Sequence, residues 1–151
     1  MEIKQQGIAL IDKTYLSQYD FLKLSSCVIK SIDLIACFEL ETEIVVENCV
    51  IEELNIHSCW FVKGLTMRGC IVNGYIDYQM GGHNDDPMVF DKNIFTDFFN
   101  FFDCEFNAQI VFTNNIVMKG ANLLGNIGEG FENRFNNGWE AKNNLGPIDL
   151  S

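Results

Sequence analysis

Between Leu22 and about Ile127, apolar residues return at steps of two and three with unusual regularity. The clearest copy is LNIHSCWF, residues 54 to 61, in which Leu54, Ile56, Cys59 and Phe61 hold the apolar or small places and polar residues fall between most of them. Aligning the chain on the Cys or Asn slot separates two interleaved series. One runs Cys27, Cys49, Cys70, Asn93, Asn115; the other runs Cys37, Cys59, Gly81, Cys104, Asn126. Neighbours within a series are 21 to 23 residues apart. Five and three residues before each slot stand Leu22/Leu24, Ile44/Val46, Leu65/Met67, Met88/Phe90 and Ile110/Phe112 in the first series. In the second stand Ile32/Leu34, Leu54/Ile56, Ile76/Tyr78, Phe99/Phe101 and Ala121/Leu123. All twenty are apolar or aromatic.

Alternation at every second residue is the mark of a strand with one buried face. Strands this short cannot stand alone, so a period near 22 predicts coils that stack and pair their backbones, about 4.8 Å apart. The predicted fold is all-β: a right-handed parallel β-helix, or solenoid, of about five coils of 21–23 residues, the hand being that of parallel β connections in general. One domain covers 1–151, with an N-terminal cap over 1–21, coils over 22–127, and a C-terminal cap and tail over 128–151. In the first cap, Ile8, Leu10 and Ile11 suit an irregular coil, and Tyr15, Leu16 and Tyr19 suit one face of a short helix. In the last, Phe131, Phe135 and Trp139 recur every four residues, which fits a helical turn or an aromatic loop.

The small-then-large pairs Cys49/Ile51, Cys59/Phe61, Cys70/Val72 and Cys104/Phe106 step by five within each half coil. In this the chain resembles the pentapeptide-repeat proteins, over roughly 105 of its 151 residues. The resemblance implies a square right-handed β-helix with small and large residues turned inward on each side. It departs from the family's regular 20-residue coil by one to three extra residues per coil, as at Glu41 to Glu43 or Asn107 to Gln109.

Composition sharpens this picture. Six Cys would allow a disulfide scaffold, but all of them occupy repeat slots where a thiol acts as a compact hydrophobe, so free buried thiols and a reducing, cytoplasmic setting are expected. No stretch approaches the length of a membrane span. The net charge of -11, with few and scattered Lys and Arg, argues against direct nucleic-acid binding. Glu39, Glu41, Glu43, Glu47, Glu52 and Glu53 fall in outward slots or corners and read as a solvated face. Asn93, Asn115 and, at the same interval, Asn137 suit an internal amide ladder.

Candidate chemistry is sparse. QMGGHNDDP, residues 79 to 87, reads as a corner protruding from the ladder, and His83, Asp85 and Asp86 in it are the only metal-capable cluster, a weak one. His57 follows the inward Ile56 and so points outward as a surface residue. Phe98 and Phe102 are the expected outward rings of FTDFFNFFDCEF and would mark a contact surface. No nucleophile elbow, phosphate loop or metal-ligand helix occurs, so no catalytic, cofactor-binding or metal residues are assigned. The expected function is a non-enzymatic scaffold or interaction module with a protein partner, as a monomer or an end-to-end homodimer. The family resemblance implies an alternative, an acidic DNA-mimic binder of a topoisomerase such as gyrase. A carbohydrate-binding or carbohydrate-active β-helix is the third reading.

Overall fold

The protein, described over residues 1–151 by a computed structural model, is nearly all strand. The lower part contains β1 (Glu2–Lys4), β2 (Gly7–Asp12), α1 (Lys13–Leu16), β3 (Phe21–Ser25), β4 (Val28–Asp33), β5 (Glu43–Glu47) and β6 (Val50–Asn55). The middle contains β7 (Leu65–Arg68), β8 (Ile71–Val72), β9 (Ile76–Asp77), β10 (Met88–Asp91), β11 (Ile94–Phe95), β12 (Phe99–Asn100) and β13 (Glu105–Phe106). The upper part contains β14 (Ile110–Thr113), β15 (Ile116–Val117), β16 (Arg134–Phe135) and β17 (Trp139–Lys142).

All pairing between strands is parallel. One seven-stranded sheet runs β1-β3-β5-β7-β10-β14-β17, and a six-stranded sheet runs β15-β11-β8-β6-β4-β2. Two smaller ladders, β9–β12 and β13–β16, form the remaining sides. Ile44 pairs with Leu65, Leu65 with Met88, and Met88 with Ile110, so identical slots lie above one another. This is a right-handed parallel β-solenoid of about five coils, as the spacing predicted.

The second coil shows the cross-section plainly. Ile44, Val46, Cys49, Ile51, Leu54, Ile56, Cys59 and Phe61 are all buried, in pairs two apart that advance by five. All twenty apolar positions named above are buried. Mostly aliphatic side chains, with Phe61, fill the shaft from Ile11 to Met67, and Tyr78 with Phe90, Phe95, Phe99, Phe101, Phe106 and Phe112 dominates it above.

One wall of the shaft is a column of slot residues, each bonded to the coil before it. The Cys49 Sγ accepts the Cys27 N–H at 3.3 Å. Higher up, Asn93 accepts the Cys70 N–H, and Asn115 the Asn93 N–H, both at 2.9 Å. Each slot also donates to the carbonyl three residues ahead of the slot below: Cys70 to Val46 at 3.4 Å, Asn93 to Met67 at 3.0 Å and Asn115 to Phe90 at 2.9 Å. Thiols and amides thus do the same job, saturating backbone groups at a corner that strand pairing leaves open.

The corner itself requires a left-handed residue. Ser26, Asn48, Gly69, Lys92, Asn114 and Asn143, each just before a slot, have φ between +54° and +63°. The opposite corner repeats the device at Ala36, Ser58, Met80 and Asp103. Asn and Gly tolerate this region; Lys, Met and Ala do so at some cost.

Several expectations need correction. Strand pairing begins at Glu2 in β1, and β1 and β2 pair with β3 and β4. The next rung above Asn115 is Asn144, whose Oδ1 accepts the Asn115 N–H at 2.9 Å; Asn137 instead donates to the Asn107 carbonyl. Likewise the residue facing the Cys104 N–H is Asn133, at 2.8 Å, and not Asn126. The reason is one insertion: β13 pairs with β16, and β14 with β17, at an offset of 29 residues in place of about 22. Residues 131 to 139 accordingly contain strand, not helix.

Phe98 and Phe102 do point out of the shaft, but neither is bare. Phe98 lies flat against Tyr75 at 6.3 Å and Phe102 against Phe131 at 4.5 Å, so each is half-buried. Nor does the corner at 79–87 leave the ladder as a whole. Gly82 bridges both Trp60 and Glu105, and only Asp85 to Pro87 stand exposed together.

Candidate functional site

Cys59 and Phe61 turn inward, so Trp60 between them turns outward. On the coils above, the residues in register with Trp60 are Gly82, Glu105 and Arg134. A column of side chains up this side is therefore broken at one level, where glycine supplies none. The result is a notch lined by Phe38, Trp60, Met80, His83, Glu105 and Arg134, with Ser58 and Asp103 at its edges.

Packing explains both glycines. Gly81 takes a slot that Cys holds in the coils below and above, because the ring of Tyr78 fills the space its Cβ would need. Tyr78 is fully buried, and its hydroxyl oxygen accepts the Gly82 N–H at 2.9 Å. Burial pushes its phenol well above the ordinary value, so it stays neutral. Gly82 has φ +93°, and a side chain there would run into the Glu105 backbone.

The floor of the notch is held from several directions. The Trp60 Nε1 donates to the Met80 carbonyl at 3.3 Å, which fixes the indole plane. The edge of Phe38 meets it at 4.9 Å between centroids, and the His83 imidazole lies over it at 4.2 Å. Above it, Arg134 reaches Glu105 at 3.4 Å, and Asn136 donates to the other Glu105 oxygen at 3.3 Å. Phe38 and Met80 are about half exposed. Aromatic planes beside carboxylates attract cations and the polarised faces of planar groups.

The residues singled out from sequence are not brought together here. His83 belongs to the notch, but Asp86 lines a separate groove with Lys63, Gly64 and Pro87. No group of three or more His, Cys, Asp or Glu side chains converges anywhere in the chain. His57 is half-buried and its Nδ1 is 3.0 Å from Asp77. Since a carboxylate only accepts, the proton of that bond sits on Nδ1. The six cysteines are free and buried. Burial raises the Cys59 and Cys104 thiols far above the ordinary value, and the Cys49 thiol beside it, then burial, does the same for Cys70. Those three are inert wall material. No helix is long and apolar enough to cross a membrane.

The signal for the notch was half present in the sequence. The parity of Trp60 gives its direction, whereas the Gly82 gap needs the register of three coils. Fold and notch together define a parallel β-solenoid with an aromatic recess on its side. No family model, curated protein or solved structure matches the chain.

Proposed function

We propose that the chain is a non-enzymatic β-solenoid recognition module that takes a segment of a partner protein into the notch at Gly82. The observation that carries this reading is the break in the side-chain column at Gly82, which leaves Trp60 and Phe38 beside Glu105. A basic side chain suits the site best, its alkyl or guanidinium face against the indole and its charge toward Glu105 and Asp103. Arg134, with 63% of its side chain exposed, is displaced from Glu105 by such a guest. Charged surfaces of this sign also speed the approach of basic partners. We read the scaffold as a divergent relative of the pentapeptide-repeat proteins, supported by the five-residue advance of inward pairs through the second coil.

The test is selection of 12-residue peptides from a display library against the folded chain. Basic peptides whose affinity falls at least about tenfold with Trp60→Ala, and with Glu105→Gln, are expected. Selection of no peptide that depends on Trp60 overturns the reading.

A further inference from the structure

The two ends of the six-stranded sheet are treated differently. At the top, β15 is covered by the chain's own last residues: Ile116 bridges to Leu145, and Ala121 and Leu124 donate to the Pro147 and Ile148 carbonyls, both at 2.9 Å. At the bottom the sheet ends on β2, GIALID, six residues with no charge before Asp12. Natural proteins blunt such an edge with charge, proline or a cover. Beneath β2 there is none of these; α1 plugs the shaft through the buried Leu16 but follows β2 along the coil and does not pair with it.

The direction of the free backbone groups can be read from the coils above. Val28 donates back to Gln6, Val50 to Cys27, Ile71 to Cys49 and Ile94 to Cys70, at 2.8 to 3.0 Å. In this sheet, then, outward-facing residues bond toward the preceding coil. On β2 those residues are Gly7, Ala9, Leu10 and Asp12, while Ile8 packs against the core and Ile11 is buried in it. Reading β2 backward leaves that order of outward and inward residues unchanged. The ladder to β4 skips Ala9, and Ala9 and Leu10 are both turned outward, so β2 bends between them. An antiparallel copy centred on that bend sets Gly7 against Asp12 and Ala9 against Leu10 as hydrogen-bonded pairs. Ile8 then faces Ile11 across the join with both still turned into the shaft. Charge does not oppose the meeting. The first 21 residues hold Glu2, Asp12 and Asp20 against Lys4 and Lys13, so they carry one unit of the chain's net -11.

We propose that β2 is a self-pairing edge at which two copies of the chain join end to end, in an antiparallel β2–β2 ladder about a two-fold axis between Ala9 and Leu10. The join leaves the notch at Gly82 free, and it stands or falls independently of what binds there. Sedimentation of the whole chain at about 100 μM is expected to give twice the 17.2 kDa chain mass. Leu10→Lys, at a side chain 47% exposed, should return the chain mass and raise the dissociation constant more than about a hundredfold. Hydrogen exchange on the unaltered protein reads the same contact without a variant: the Ala9 and Leu10 amides should slow at high concentration and quicken on dilution. A monomer at 100 μM overturns the proposal, including one with slow β2 amides, where the chain covers its own edge. So does a dimer whose β2 amides stay fast or whose mass survives Leu10→Lys.

Discussion

The lower and upper halves of the shaft solve one packing problem with different materials. Below Met67 the interior, Phe61 apart, is Leu, Ile and Val, and the corner column is Cys27, Cys49 and Cys70. Above it the interior is mostly Phe, and the column is Asn93, Asn115 and Asn144. Branched aliphatic chains standing in register leave a small void, about 20 Å³, bounded by residues that include Leu24, Leu34, Val46 and Met67. The phenyl rings leave none of that kind: Phe99 stacks on Phe101 at 4.1 Å and meets Phe95 at 4.9 Å and Phe90 at 5.5 Å. A thiol makes long, weak bonds and is itself nearly apolar; an amide makes short ones and is costly to bury unbonded. The upper half is thus the more demanding of its partners, and the lower half the more forgiving.

Breaking the column should expose that difference most strongly. Asn115→Leu strands the Asn93 N–H and the Phe90 carbonyl in a buried site, at about 1–3 kcal/mol each, for a loss of roughly 4 kcal/mol. Cys49→Ala, one type of rung for another at the equivalent height below, removes a small apolar group and weak bonds and should cost about 1–2 kcal/mol. Urea denaturation of both variants checks the ranking. Equal losses would mean that the thiols and amides contribute alike.

The voids give a test of opposite sign. Val46→Ile adds one methylene beside the lower cavity and should stabilise by up to about 0.8 kcal/mol. Val117→Ile adds the same group where β15 pairs with β11, Val117 against Phe95, and should cost about 1–3 kcal/mol through overpacking. For a chain of this length, thermal midpoints should move by about 2–4 °C per kcal/mol, upward for the first and downward for the second.

What the sequence disclosed follows the same division. Slots repeated at 21 to 23 residues are visible because each inward position must be apolar whichever coil it sits in, and all twenty proved buried. The seven extra residues before β16 were hidden, because Asn-rich sequence offers a false rung at Asn137 as readily as the true one at Asn144. Ring stacking was hidden too: parity shows that Phe102 leaves the shaft, but only the fold shows Phe131 returning to cover it. At Gly81 and Gly82 the sequence signals a turn, whereas the causes are the buried Tyr78 ring, three residues before Gly81, and the Glu105 backbone of the next coil against Gly82.

The left-handed corners carry a smaller effect in the same comparison. Gly69 meets the requirement at φ +63°, one coil below Lys92, which meets it at φ +58° with a side chain. Lys92→Gly should relieve about 1–2 kcal/mol of backbone strain and return about 0.4–1 kcal/mol of it as lost unfolded-state restriction, a net gain of at most about 1.6 kcal/mol. Gly69→Ala should destabilise, since its Cβ would sit 2.5 Å from the Asn48 Oδ1. Paired thermal melts of the two variants would show the corner acting in both directions.

The smallest effect lies on the outer surface of the upper half and is set by pH. Asp91 accepts from the Asn114 Nδ2 and the Thr113 Oγ1, both at 2.8 Å, and these bonds, Asn114 first, hold its carboxyl below the ordinary carboxylate value. A folded-state value below the unfolded one means that the unfolded chain takes up the proton first as pH falls. The bonds therefore add stability in full above the unfolded value of about 4, and that contribution disappears as pH drops through the folded value. Because the carboxylate is largely open to water, screening keeps the gain to about 0.5 kcal/mol. Asp91→Asn, titrated between about pH 2 and 6 by thermal melting, should lower the midpoint slightly at pH 6 and leave it unchanged at the acid end. A difference that persists undiminished at pH 2 would assign the effect to shape and not to charge, and the upper surface would then be no more selective than the lower one.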